Sequence, residues 1–201
     1  MLDNKLSKLF GFSRVVNLFQ AVERVVRIPG IEKRENDVEH SYHLAMLAWY
    51  IADSNGLRLD KNLLLSYSLV HDFVEVYAGD TYIYSKNKHD HDSKKEREEA
   101  ARIRLEKEFP EFRGLHDTIV EYEKQENLES RFVYVLDKLH PVFQIYLDGG
   151  RDWRKHEVTL AMLIEKKADK ALLSPELLPY WEELLLILRK EEKNLFPESI
   201  V

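Results

Sequence analysis

Leu69-Val70-His71-Asp72-Phe73-Val74-Glu75-Val76-Tyr77-Ala78-Gly79-Asp80 sets an adjacent His–Asp pair inside a strongly apolar run. From Leu63 to Ala78 the chain is mostly Leu, Val, Phe and Tyr, which predicts a largely buried helix. Burying an imidazole beside a carboxylate is costly unless something pairs with them. A divalent cation would do so, taking a neutral ring nitrogen and an anionic oxygen as ligands. A hydrogen-bonded pair inside a helical core is the other explanation. The dipeptide alone favours that second one.

Upstream, Asn36 followed three residues later by Glu39 makes a capping-box-like start for a helix reaching about Asp53. His40, Leu44, Leu47 and Ile51 share one face of it, so His40 points inward, while His43 lies on a neighbouring stripe. Earlier, Leu6, Leu9, Phe10, Leu18, Phe19, Val22 and Val26 recur at helical spacing, with Gly11-Phe12-Ser13 as a candidate break. Arg27-Ile28-Pro29-Gly30 is a turn signal, and Glu32-Lys33-Arg34-Glu35 reads as a solvated connector. Asp60 is placed to cap the central helix, which runs to Ala78 with Gly79 just beyond its end.

Downstream, Asp80-Thr81-Tyr82-Ile83-Tyr84 reads as extended or irregular. His89-Asp90-His91-Asp92 falls in a polar stretch without apolar neighbours, which favours an exposed segment over a metal site. Helical patterns follow at about 94–109, 113–125, 129–147, 155–169 and 175–192. In the third of these, Phe132, Val133, Val135, Leu136 and Leu139 surround Asp137, and Pro141 is placed to kink or end the helix. No strand-length alternation stands out. The expected fold is all-α, a single compact helical bundle, with residues 1–201 as one domain. Its core would span about 16–153, with C-terminal helices at 155–192 packing on it.

The 201 residues are 44% hydrophobic and 33% charged with a formal net charge of −6, enough for a core under an acidic, well-solvated surface. That balance weighs against nucleic acid and anionic membranes as partners, because both want basic patches. There are no cysteines, so any metal must be held by His, Asp or Glu. Met1-Leu2-Asp3-Asn4-Lys5 is not a signal peptide and no apolar run reaches membrane-spanning length, so a soluble cytoplasmic protein is expected.

His40, His71-Asp72 and Asp137 lie on three different expected helices, each framed by apolar residues. Two imidazoles and two carboxylates could form the shell of one divalent ion: Mn, Co, Fe, Ni, Zn or, less well, Mg. Spacing alone does not show that they converge. Glu75 is four residues after His71 and three after Asp72, on the same helix side. There it is either an acid–base group beside a metal or a helix-surface carboxylate at an electrostatically unfavourable end. Asp80 either positions a substrate hydroxyl or water, or caps the segment that follows.

The segments Arg34-Glu35-Asn36-Asp37-Val38-Glu39-His40-Ser41 and His71-Asp72-Phe73-Val74-Glu75-Val76-Tyr77-Ala78-Gly79-Asp80-Thr81 resemble those of HD-domain metal-dependent phosphohydrolases. The likeness is to a bacterial branch, the YfbR-like 5′-deoxynucleotidases, and runs from about residue 16 to 153. It implies His40, His71, Asp72 and Asp137 as metal ligands, Glu75 as the catalytic carboxylate, Asp80 as a second catalytic carboxylate that contacts substrate or handles protons, and Thr81 at the substrate. It implies a phosphate-orienting arginine about where Arg27 falls, with Arg34 or Arg24 as alternatives. It also implies one divalent ion, a small phosphorylated substrate such as a (deoxy)nucleoside 5′-monophosphate, and a homodimer. Trp153, Tyr180 and Trp181 would either complete the core or add dimer surface. The chain departs from the branch at Thr81-Tyr82-Ile83-Tyr84, where the characterised deoxynucleotidases carry a Pro-containing segment, and the departure falls on the substrate-contacting loop. The rival functions are a phosphodiesterase, a hydrolase of another phosphorylated metabolite, and a non-catalytic nucleotide-binding protein. A substrate panel separates the first two from the main reading, and metal content separates the third.

Overall fold

The computed structural model describes residues 5–84 and 93–197, and the His89–Asp92 stretch lies outside them. The helices are α1 (Lys5–Phe19), α2 (Asp37–Ser54), α3 (Lys61–Val70), α4 (Glu75–Ala78), α5 (Lys94–Glu108), α6 (Arg113–Lys124), α7 (Leu128–Leu147), α8 (Arg151–Lys155), α9 (Leu160–Ala171), α10 (Leu178–Lys190) and α11 (Glu192–Leu195). None of the described helices is long and apolar enough to cross a membrane. The bundle is helical, as expected, and α7 is its hub, packing against α2, α3, α6, α8 and α9.

Local chemistry explains where the key helices begin. Asn36 and Glu39 form the full capping box: the Asn36 side chain accepts from Glu39 N at 3.0 Å and the Glu39 carboxylate from Asn36 N at 3.1 Å. Asp60 caps α3 by accepting from Asn62 N and Leu63 N. α7 starts at the Asn127 cap and passes through Pro141 without ending. The missing N–H of Pro141 leaves the Asp137 carbonyl without its helical donor.

Four expectations are corrected. First, a small antiparallel sheet is present, β1 (Glu23–Arg27) against β2 (Arg34–Asn36), with a bulge in the pairing. Val22 and Val26 are four residues apart, a spacing that shares a face on a helix or a strand, so periodicity could not separate the two. Second, α1 runs unbroken through Gly11. Third, Glu35 is fully buried rather than part of a solvated connector. Fourth, the central helix stops at Val70. Residues 71–74 continue on short-range bonds (Phe73 N to Val70 O, Glu75 N to Asp72 O), and α4 closes at Gly79 with φ 75°. Tightening from four-residue to three-residue bonds turns successive side chains through about 120° rather than 100°. The His71 ring nitrogen Nδ1 takes the Ser68 carbonyl at 2.9 Å.

That tightened turn lies at the junction of two cores. Tyr67, with Leu44, Leu64, Phe132 and Leu136, belongs to the larger one. Phe73 and Val74 belong to a second, with Val15, Phe19, Leu105 and Ile119. Each fully buried Leu or Phe contributes roughly 1.5–3 kcal/mol, so the turn is pinned from both sides. Trp153 and Trp181 are buried in the larger core, while Tyr180 is half-buried and its hydroxyl accepts from Asn55 at 2.8 Å.

Gly150 sets the entry to α8 and so the position of Trp153. Its φ is 76°, and a Cβ there would lie 2.1 Å from the Leu195 carbonyl oxygen. Gly150→Ala is therefore expected to cost about 2 kcal/mol or more, since both the left-handed backbone and the clash penalise a side chain. Chemical denaturation measures it, and an unchanged midpoint would rule out this close approach.

Candidate metal centre

His40 from α2, His71 and Asp72 from the turn after α3, and Asp137 from α7 come together with one ligand atom each within 4.8 Å of the others. His40 Nε2 is 2.9 Å from Asp137 Oδ1, and His71 Nε2 is 3.0 Å from Asp72 Oδ2 and 3.8 Å from Asp137 Oδ1. All but Asp72 are buried, and Asp72 is half-buried.

The protons are placed by the outer partners. His71 Nδ1 donates to the Ser68 carbonyl, so in the neutral ring Nε2 carries a lone pair. That nitrogen is buried and has no hydrogen-bond partner among the described residues, although a carboxylate oxygen faces it. A lone pair set against two carboxylates is repulsive by itself and favourable once a cation lies between them. The donor set, two imidazoles and two carboxylates without sulfur, suits a divalent first-row metal or Mg. The residues present therefore fit the metal.

Glu35 organises the other side. Its carboxylate accepts from His40 Nδ1 (3.2 Å), His43 Nδ1 (3.0 Å) and Gln144 Nε2 (2.7 Å). Burial alone would raise its pKa, but the hydrogen bond and charge of His40, with His140 and Gln144, hold it down to about 2. An ionised partner on Nδ1 leaves His40 Nε2 as the ligand nitrogen. His140, with its ring centroid 5.0 Å from that of His40, is pushed down to about 3 by burial and then by His40, which keeps it neutral. Neither Glu35 nor His140 stood out in the sequence. Glu35 was masked by its charged neighbours, whereas the three-residue step from Asp137 to His140 on one helix could have revealed the second. Glu35→Gln is expected to weaken divalent-metal affinity about 10- to 100-fold. Chelator competition reads the change, and unaltered affinity would refute the orienting role.

The cluster opens into a cavity of about 340 Å³. Glu75 and Asp80 line it with Asp72 and Asp137. Burial, then Asp72 and Asp80, pushes Glu75 up to about 10; its Oε1 is 3.5 Å from Lys94 Nζ and its Oε2 has no partner among the described residues. Burial also raises Asp80. Thr81 lines the same wall, and its hydroxyl accepts from Arg97 at 2.8 Å. Tyr82, Tyr84, Tyr134 and Trp153 supply aromatic surface.

The arginine at the cavity is Arg24. Its Nη1 donates to Asp72 Oδ2 at 2.8 Å and to Asp37 Oδ1 at 3.0 Å, bridging the metal cluster and the start of α2. Arg27 does not line the cavity; its backbone N–H and guanidinium are held by Asp152. Arg34 is exposed on β2. On the expected helix, positions 24 and 27 would share a face; on a strand they reach different partners.

A helical bundle with this His/Asp cluster at its centre is the arrangement of an HD-domain protein. Residues 17–177 match the HD domain family, and the chain belongs to it. It is 31% identical over 140 residues to the 5′-deoxynucleotidase HDDC2 of Mus musculus, covering 67% of this chain and 68% of that one. The Homo sapiens counterpart is 30% identical over 139 residues, 68% of this chain and 66% of that one. Among solved structures, a “predicted metal-dependent phosphohydrolase” from Magnetospirillum magnetotacticum MS-1 superposes with a TM-score of 0.80 at 27% identity, over 96% of both chains. A Listeria innocua HD-domain phosphohydrolase, 16% identical with a TM-score of 0.60 over 92% of this chain and 86% of that one, shares the fold.

Proposed function

We propose that this chain is a phosphomonoesterase that converts (deoxy)nucleoside 5′-monophosphates to nucleoside and inorganic phosphate. Membership of the HD-domain family carries the coarser part, a metal-dependent phosphohydrolase. The relatives named 5′-deoxynucleotidase, at 30–31% identity, support the finer part. The single observation that carries the reading is one cavity onto which the four-residue cluster opens through Asp72 and Asp137, beside Arg24, Glu75 and an aromatic wall.

In this reading His40, His71, Asp72 and Asp137 hold one divalent ion. When bound, that ion supplies Lewis acidity, acidifying water and drawing charge from a phosphoryl group. Arg24, already fixed by Asp37 and Asp72, meets the remaining negative charge of the phosphate. Glu75 is a proton-holding carboxyl aimed into the cavity. As water attacks phosphorus and the bond from phosphorus to the 5′-oxygen breaks, Glu75 gives its proton to that oxygen and recovers one from the attacking water. Asp80 and Thr81 meet the sugar, and the tyrosines with Trp153 cover the base.

The test is phosphate release from a panel of nucleoside 5′-monophosphates, triphosphates, cyclic nucleotides and sugar phosphates, with Mn, Co or Mg added. The 5′-monophosphates should lead. Glu75→Ala should lower kcat about 100-fold or more while leaving metal content intact. Absence of phosphate release from every monophosphate would sink the proposal.

A further inference from the structure

The cavity carries more positive charge than the hydrolysis of a monophosphate uses. Five cations line the cavity, Arg24, Lys94, Lys138, Lys167 and Lys170. Three have carboxylate partners: Arg24 with Asp37 and Asp72, Lys94 with Glu75 and Glu98, and Lys138 with Asp137 at 2.6 Å. Lys167 and Lys170, one turn apart on α9, have none among the described residues. Lys167 is only 5% exposed. A buried ammonium without a counter-charge is among the costlier features a fold can carry. Burial first, and then repulsion from Lys138, lowers the pKa of both lysines. Leu163, one turn before Lys167 on the same face, shares the cavity wall, so the helix presents its lysines to the ligand space from an apolar base.

The geometry points to a second anion subsite at Lys167 and Lys170, which takes a second phosphate group on the same nucleotide whose first phosphate meets the metal cluster. This rests on the phosphomonoesterase reading for the first phosphate only. A nucleotide with two phosphates would give Lys167 the ion pair it lacks among the described residues, where Asp137 offsets its burial only in part, and charge-assisted contacts inside a protected cavity are the strong kind. The same chemistry arises from a 5′-diphosphate or from a 3′,5′-bisphosphate, which differ in how far the second group lies from the first.

The experiment is equilibrium titration of the full chain carrying Glu75→Ala and loaded with Mn, so that the first phosphate has its cation while turnover is suppressed. The probes are adenosine 5′-monophosphate, adenosine 5′-diphosphate and adenosine 3′,5′-bisphosphate. At least one two-phosphate probe should bind about tenfold or more tightly than the monophosphate. The preferred probe tells whether the subsite adjoins the first phosphate or lies across the ribose. In Lys167→Met and in Lys170→Gln the ratio of the two dissociation constants should move toward one. Equal binding of all three probes to the Glu75→Ala chain, or a preference that survives the further substitution of either lysine, overturns the subsite. A preference that is present and lost in the variants, together with no release of phosphate from any monophosphate, keeps the subsite and overturns the hydrolytic reading alone.

Discussion

His71→Ala is expected to leave a folded chain that no longer retains a divalent metal and releases phosphate at least about a thousandfold more slowly, a loss of some 4 kcal/mol of transition-state stabilisation. The ring contributes an unpartnered Nε2 to the cluster while its other nitrogen is anchored to Ser68. Removing it deletes one of four donors and leaves Asp72 and Asp137 in place. A readout independent of activity follows from linkage. Metal that binds only the folded chain stabilises it by about 2.7 kcal/mol at a hundredfold excess over Kd, so the wild-type melting temperature should climb with added metal and that of the variant should not. Wild-type metal content in the variant would remove His71 from the ligand set.

Lys167→Met is expected to raise stability near neutral pH by about 2–4 kcal/mol, an unusual direction for a substitution at a residue only 5% exposed. Met matches the length of the aliphatic stem and carries no charge to bury. Burial, then Lys138, brings the folded-state pKa of Lys167 down to about 7. In the unfolded chain a lysine titrates near 10.4, so between about pH 7 and pH 10 the unfolded state binds more protons than the folded one. Wild-type stability from this group should therefore rise with pH across that window, and the penalty is fully present below it. The variant should lack the rise. Urea denaturation at pH 7 and pH 9.5 tests both points; a variant less stable than the wild type at pH 7 would mean that the ammonium has a partner.

Much of the candidate site was legible because its residues are chemically out of place. A His–Asp pair, a lone Asp137 and an inward His40 each interrupt an apolar pattern, and an interruption is visible without knowing the fold. The capping box at Asn36 and Glu39 and the cap at Asp60 were legible for a related reason: both act over three residues or fewer. Arg24 was harder to single out among three candidate arginines. Its selection depends on β1, where Val26 with Val22 just upstream also satisfied a helical spacing, and on Asp37 and Asp72, which lie 13 and 48 residues away. Glu35 was misjudged because its local composition is charged, whereas its burial is imposed by His40, His43 and Gln144.

The apolar run around His71-Asp72 thus specified by itself that two polar groups would be held in a helical core, and periodicity in the rest of the chain specified a helical bundle. Tertiary structure alone decided that the run breaks at Val70. Pinned between two cores, the chain tightens there, and the ring of His71 ties back to Ser68 while its free nitrogen meets Asp72 and Asp137. It alone decided that Lys167, by its spacing one more position on an amphipathic helix, ends up buried with no ion pair among the described residues. Local sequence encodes which side chains can pair; only packing decides which of them are left without a partner.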